Sequence, residues 1–564
     1  MNALDYVVLV GTLLGVAAFG MWRTRGQRDL RTYVHGARDT RWLTIGLAVM
    51  ATQASAITFL STPGQGYESG TGFVQNYFGT PIALVIVAIV FLPIYRRLKV
   101  DTAYEYLGRR FDAKTRLLGT LLFLIQRGWS AGITIYAPAI VLSKVFGWRL
   151  DLTIIGSGLL ATAYTVSGGS AAVNLTQKYQ MAVIFAGMIA AGVLLILQLP
   201  PWLKLSDAFT IAGGMHKLQS IDFSFDLHPR YTFWTGLFGG TVLALSYFGT
   251  DQSQVQRYLS GGSVRESRLG LMFNAVFKIP MQFFILLLGV LLFVFYQFER
   301  PPVFFNAATW QAHAAGAAGA SLRGIETEFA AAHAERRADL TRWIEAKHAG
   351  NALGAREAKA AAVAANDRVD DIRRDAKAAL IKVDPAAATK DTDYVFITFI
   401  VQHLPHGLIG LLVTAFFAAA LNSKAAELNA LAASSTVDLY RRIRPGATDA
   451  ECVTASKWFT AAWGLFAIGF ALSVTLAENL IEWSNIVGSL FYGVMLGLFV
   501  VAFFFKRIGG TATFWAAIVV ELGVLAMYRT STISYLWFNL IGCVACVALA
   551  ALLQLLLPRP AASD

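Results

Sequence analysis

Charged side chains are what this sequence lacks most: only 15% of its 564 residues are Asp, Glu, Lys or Arg, where a soluble domain carries about 25%. That deficit leaves too little polar surface to cover a water-soluble particle, and a soluble globular class is excluded. Cysteine is scarcer, with three in all. Cys452 falls in a connection. Cys543 and Cys546 stand one helical turn apart in the last apolar run, a spacing that fits small residues at a helix interface far better than a metal or redox pair. The signatures of enzymes are missing too: no P-loop, no nucleophile set beside a base, no ligand cluster. The first apolar run has neither a basic leading segment nor an A-x-A-like cleavage site, so it reads as a retained span.

What the chain has is apolar length. Apolar residues make up 56% of it, gathered into runs of about 20, the length that crosses a ~30 Å hydrocarbon core at 1.5 Å per residue. The runs predict an all-α, polytopic membrane protein with about 13 spans, near 3–22, 42–64, 75–98, 114–145, 152–168, 172–199, 231–252, 269–297, 396–421, 453–475, 479–505, 510–528 and 533–557.

The net charge of +12 invites a nucleic-acid reading, but its distribution removes it. Lys and Arg crowd alternate connections: 23–41, 95–116, Arg257 to Arg268, Arg441 to Arg444, and Lys506 with Arg507. The connections between, such as 65–74 and 476–478, are nearly free of them. That alternation is the positive-inside pattern. It predicts a cell-membrane protein with its N-terminus outside and its C-terminus cytoplasmic.

One segment does not belong to the membrane. Residues 299–393 hold 14 acidic and 14 basic residues among many alanines. Strong helix formers fill 320–349 and 353–383, with Gly350–Asn351 between them, which predicts a protruding antiparallel hairpin. Charges such as Glu335, Arg336 and Asp339 suit a solvated face. The chain thus divides into 1–298 with eight spans, the 299–393 hairpin, and 394–564 with spans nine to thirteen. The alternation places the hairpin outside, as a passive insertion, a lid or a docking surface for an extramembrane partner.

Two spans read as interrupted. The second runs LTIGLAVMATQASAITFLSTPGQGYESG, and the seventh TFWTGLFGGTVLALSYFGTDQSQVQRYL. Paired interruptions five helices apart point to an inverted-repeat transporter, because backbone unwound at mid-membrane is tolerated only where it lines a site. A packed pair of Gly/Pro kinks is the plainer alternative.

At these residues the sequence resembles the sodium:solute symporter family. The likeness lies in ATQASAITFLSTPGQGY, DTAYEYLGRRFDAKTR, YTVSGGSAAV, FGTDQSQVQRYLS, LNALAASSTVDLY and FFFKRIGG, in the family's order, and covers nearly all of the chain outside 299–393. Residues 54–142 look most like the monocarboxylate and multivitamin branch. The resemblance implies a five-plus-five inverted-repeat, leucine-transporter-like core working by alternating access, with a small organic solute (a monocarboxylate, vitamin-like acid or sugar) carried together with sodium.

Matched position by position, the resemblance implies a sodium site at Ala51, Ala54, Ala419, Asn422 and Ser423, where two unwound carbonyls and side-chain oxygens can surround a hard cation. Asn422 stands where the family usually has a hydroxyl residue. Gln177, after Thr176, stands where some members have an aspartate, so no second sodium is expected. The solute positions implied are Thr58, Tyr77, Tyr247, Lys278 and Asn485, with Tyr247 as inner gate. Asp251, Lys424, Glu427 and Gln177 are the coupling or gating candidates.

Read from the residues alone, Lys424 and Glu427 are either a mutually neutralising pair or, through Lys424, a replacement for the cation that would make transport proton-coupled or uncoupled. Lys278 either meets a partner such as Asp251 or Glu68, or faces the solute. His403 and His406 make an H-x-x-H spacing without a third ligand. A transporter-like sensor is a second class, but no signalling domain follows the last span. If the implied sodium site is right, Ser423→Ala weakens the sodium dependence of uptake. An unchanged sodium response in proteoliposomes would sink that assignment.

Overall fold

The computed structural model describes residues 2–9, 11, 41–98, 100–316, 319–385, 389–474 and 478–558, leaving aside the side chains of 167–180. Most of the first expected span, and the side chain of Gln177, lie outside what is described. Every element formed by the described residues is a helix. Seven stretches among them, 56–98, 113–146, 264–298, 408–443, 480–504, 510–530 and 535–556, are long and apolar enough to cross a membrane, and shorter apolar helices accompany them.

The second expected span is two helices, α1 (Trp42–Gln53) and α2 (Ala56–Ser69). Between them Ala54 adopts φ −89° and ψ 67°, so the last carbonyls of α1 and the first N–H groups of α2 lose their intrahelical partners. A long helix α3 (Ala113–Phe146) starts at Asp112, whose side chain accepts from the Thr115 N–H, and ends at Gly147 with φ 69°, the usual left-handed stop. Helix α4 (Leu150–Leu197) is apolar over Leu150–Val166 and again over Met181–Leu197.

The seventh expected span also breaks, into α5 (Gly240–Gly249) and α6 (Gln252–Leu259). Helix α7 (Val264–Phe298) follows and packs along α1 and α2. Its approach to α2 requires glycine on both sides. A Cβ on Gly66 would lie 2.3 Å from the Leu286 carbonyl oxygen, and one on Gly289 only 2.0 Å from that of Pro63. Small residues let membrane helices come this close.

The hairpin is formed by α8 (Gly319–His348) and α9 (Ala352–Val383). Gly350 turns the chain at φ 68°, and the Asn351 side chain accepts from the Gly354 N–H at 2.9 Å. Its two arms pack on each other around Leu322, Phe329, Val369, Ile372 and Leu380.

Two features depart from the sequence expectation. Arg336 and Asp339 are buried rather than solvated, because that face of α8 lies on other parts of the chain. The hairpin does not protrude freely either. At its root the Arg336 guanidinium donates to the Tyr296 carbonyl of α7 at 3.0 Å. At its tip Lys347 donates to the Thr210 hydroxyl at 2.6 Å and His348 meets Asp207 at 3.1 Å.

The ninth expected span also departs. Its first part is a short helix, Val395–His403, and the chain turns before α10 (Leu408–Ser434), which packs against α1, α2, α3, α4 and α6. His406 reaches Asp5 at 2.9 Å, whereas the His403 ring stacks on Phe399. The two histidines therefore serve different contacts. Helices α11 (Asp449–Ser473), α12 (Leu480–Phe504), α13 (Gly510–Thr530) and α14 (Tyr535–Leu556) complete the chain, α12 packing on α14 and α3.

His333 makes the hairpin sensitive to acid. Its Nε2 sits 3.1 Å from the Tyr296 carbonyl oxygen, so it donates there as the neutral tautomer. Burial, and then the Arg336 charge, lower its pKa from 6.5 to about 4. The unfolded hairpin takes up the proton first, so stability present above about pH 6.5 is lost as pH falls toward 4. Limited proteolysis of the hairpin between pH 7.5 and 4.5 should speed up in the wild type and change less in His333→Gln. Equal acid responses would remove His333 from the account.

Candidate solute and cation site

The α1–α2 break, the turn Gly70–Tyr77, and helices α3, α5, α7, α10 and α12 enclose a cavity of about 130 Å³. That is roughly ten times the ~10–15 Å³ that one water requires. Thr58, Tyr77, Tyr247, Lys278 and Asn485 all line it. Three further polar atoms facing this region, Gln53 Oε1, Asn76 Oδ1 and Gln126 Oε1, have no partner among the described residues. A buried polar atom left unmatched costs about 1–3 kcal/mol, so the cavity is built for a guest that can hydrogen-bond.

Lys278 stands out by its surroundings. It is 1% exposed, and its ammonium lies 4.7 Å from the centre of the Tyr77 ring, within cation–π range. Neither expected partner is there. Asp251 is paired with Arg127, and Glu68 with Lys390 at 3.1 Å. No carboxylate among the described residues lies within ion-pair distance of Lys278.

Arg127, midway along α3, organises the remaining charges. One guanidinium nitrogen bonds the Asp251 carboxylate and lies 2.8 Å from the Tyr492 hydroxyl; the other is 3.2 Å from Glu427. Asp251 is also the N-cap of α6, accepting from the Ser253 N–H at 2.9 Å and its hydroxyl at 2.7 Å. Tyr492 donates to the same carboxylate at 2.8 Å. The Lys424–Glu427 expectation is therefore modified. Their link runs through the Thr134 hydroxyl, 2.8 Å from each, while the direct ion pair of Glu427 is with Arg127. Residues three apart on one helix are neighbours, but α3 supplies a better-placed cation and a bridging hydroxyl.

Tyr247, the expected gate, accepts from the Gln254 amide at 2.5 Å, and its ring lies 5.6 Å from the Arg127 guanidinium. Thr58, in the first turn of α2, donates across the break to the Gln53 carbonyl at 3.3 Å.

The implied cation residues lie on two packed elements. Ala51 and Ala54 flank the end of α1, and Ala419, Asn422 and Ser423 are buried on α10, which packs against α1 and α2. Ser423 and Glu427 reach the cavity wall. Sequence reasoning misses Arg127, Thr134 and Tyr492. The signal for Arg127 is present in LLFLIQRGWSAGITIYAPAI, because a charge inside an apolar span demands a partner; nothing local marks the other two.

Broken helices around a polar, charged cavity inside an apolar bundle are the architecture in which secondary transporters hold their solutes. The chain belongs to the sodium:solute symporter family, whose model matches residues 33–318 and 377–520, leaving most of the hairpin unmatched. It is 33% identical over 301 residues to the Homo sapiens sodium/iodide cotransporter, covering 52% of this chain and 46% of that protein. It is 37% identical over 281 residues to Mus musculus sodium-coupled monocarboxylate transporter 1, covering 48% and 44%. The chain thus spans under half the length of these two relatives. The Oryctolagus cuniculus sodium-dependent multivitamin transporter is 27% identical over 511 residues, covering 89% and 67%. The solved structure of a Na+-coupled sialic acid symporter, substrate-bound and outward-open, has TM-score 0.74 at 23% identity over 99% of each chain. The two share a fold.

Removing the central cation tests the network. Arg127→Gln leaves Asp251 buried without its cation and Glu427 with only the bridged Lys424, which costs on the order of 3–5 kcal/mol. A large fall in thermal stability in detergent is expected, with partial recovery in Arg127→Gln/Asp251→Asn. A melting curve like the wild type's would contradict the assignment.

Proposed function

We propose that the protein is a symporter that carries a small organic anion, a monocarboxylate or vitamin-like acid, together with sodium. The observation carrying this reading is Lys278. Arg127, Lys424, Asp251 and Glu427 sum to zero charge, so the cavity keeps the positive charge of Lys278, which a carboxylate on the solute would meet. A buried ammonium without a counter-ion is costly, and a carboxylate would offset that cost. The amides of Gln53, Asn76, Gln126 and Asn485 would orient the rest of the solute. The names of two relatives, the iodide and monocarboxylate transporters, are those of carriers of anions.

Sodium would sit between the carbonyls freed at Ala51 and Ala54 and the α10 residues Ala419, Asn422 and Ser423, with Thr58, Tyr77 and Tyr247 closing on the solute. In this reading the N-terminus and the hairpin lie outside and the C-terminus is cytoplasmic, which the Lys/Arg alternation supports. The seating of the hairpin on its own core favours a lid over a docking surface for an extramembrane partner.

A second reading has one observation in its favour. The Lys424 ammonium bonds a neutral hydroxyl, one residue from Ser423, and could stand in for the cation; transport would then be proton-coupled or uncoupled. Uptake of radiolabelled lactate, biotin and glucose into proteoliposomes, with and without a sodium gradient, decides between them. Sodium-driven uptake of the acids is expected, and Lys278→Ala should raise the acid's KM at least tenfold with a smaller effect on sodium dependence. Uptake of glucose alone, or an unchanged KM in Lys278→Ala, would overturn the anion reading.

A further inference from the structure

A second cavity, of about 200 Å³, lies where the root of the hairpin meets the ends of α2 and α7. It is unlike the central one, being walled by ionised groups. Lys217, Arg336, Arg373 and Lys377 line it, with Asp370 and Asp391. Two further ions of the wall are matched from outside it: Arg374 by Asp371, and Glu68 by Lys390.

The balance of the rest is uneven. Arg373 and Lys377 share one carboxylate, each 2.9 Å from an oxygen of Asp391. Asp391 also accepts from the Phe305 N–H at 2.7 Å, so both its oxygens are committed. Arg336 has only neutral partners, Asn366 Oδ1 at 3.2 Å and the Tyr296 carbonyl at 3.0 Å. Its Nε is buried with no acceptor, in a residue 4% exposed. Lys217, on the opposite wall, is held by the Glu68 carbonyl at 2.6 Å and the Phe293 ring at 4.7 Å. Asp370 takes a bond from the neutral Asn366 amide and has no ion pair among the described residues. Four cations thus face two carboxylates.

We propose that this cavity is a binding site for a small oxyanion, a phosphate, sulfate or carboxylate, held between the Arg336 and Arg373 guanidiniums and the Lys217 ammonium. Guanidinium groups present planar forks that match oxyanions, and ammonium adds a point charge. Tetrahedral and planar oxyanions both fit a space many times that of one water. Burial holds the Arg336 pKa down, to about 10, and that of Lys217 below its ordinary value, as expected of cations whose counter-charge comes from a guest. The site joins α8 and α9 to the ends of α2 and α7, so an occupant would fasten the hairpin to the transporter body. It is independent of what the central cavity carries.

The test uses the full-length protein in detergent, with binding of radiolabelled sulfate and of radiolabelled lactate measured by equilibrium dialysis at constant ionic strength. Direct binding is needed because sulfate also stabilises proteins by exclusion. Saturable binding of at least one probe is expected, weakened at least tenfold in Arg336→Gln and in Lys217→Gln, and unchanged in Arg368→Gln, whose side chain pairs with exposed Glu335. Stronger sulfate binding identifies an inorganic oxyanion site, and stronger lactate binding a carboxylate site. A lactate loss in Lys278→Ala that leaves sulfate intact would place lactate in the central cavity and keep the two sites distinct. Absence of saturable binding of either probe, or affinity unchanged in both Arg336→Gln and Lys217→Gln, overturns the proposal. Should Arg336→Gln fail to fold, Lys217→Gln carries the test alone.

Discussion

An arginine inside an apolar bundle has to be answered, and the answer given to Arg127 ties four helices together. Its guanidinium meets Asp251 at the start of α6, Glu427 on α10 and Tyr492 on α12. Each ion would cost several kcal/mol to hold alone away from water, so α3, α6, α10 and α12 are constrained to present their polar atoms at one point. Lys424, joined to Glu427 through the Thr134 hydroxyl, brings the cluster to neutrality and so bears on the chemistry next to it. Since Asp251 and Glu427 are committed to Arg127, they cannot quench Lys278.

The two helix breaks look alike in sequence and differ in use. At the first, no side chain caps α2, and the Thr58 hydroxyl spans the break to the Gln53 carbonyl. At the second, Asp251 closes the end of α6 with its own carboxylate while holding Arg127 with the same group. One interruption leaves a helix start uncapped beside the cavity. The other is a clamp, and a change that loosened the ion pair would also uncap a helix.

How far the sequence foretold this follows from the range of the forces involved. Apolar runs, the Gly and Pro near the breaks and the helix formers of the hairpin act locally, so the helices α2, α7, α8, α9 and α12 could be read from the chain. Five solute candidates, Thr58, Tyr77, Tyr247, Lys278 and Asn485, fall on one cavity, which motif resemblance anticipated and periodicity could not. The pairing of charges was not legible. Glu427 had a lysine three residues away, yet Arg127, 300 positions distant, took it, and Thr134 became the bridge. Burial of His333, Arg336 and Asp339 was missed because a mixed-charge helix reads as solvated unless its docking partner is known.

The hairpin is attached twice, at its root on α7 and at its tip, through Lys347 and His348, on the helix Leu205–Gly214. A cantilever bends at one joint; a strut held at both ends transmits length. The two anchorages, at Asp207 and Thr210 and at Tyr296, belong to separate parts of the chain, and a rearrangement that changed the distance between them would have to break one set of bonds or carry both along. Motions of the helical core that keep that distance leave both sets of bonds intact, and motions that change it do not.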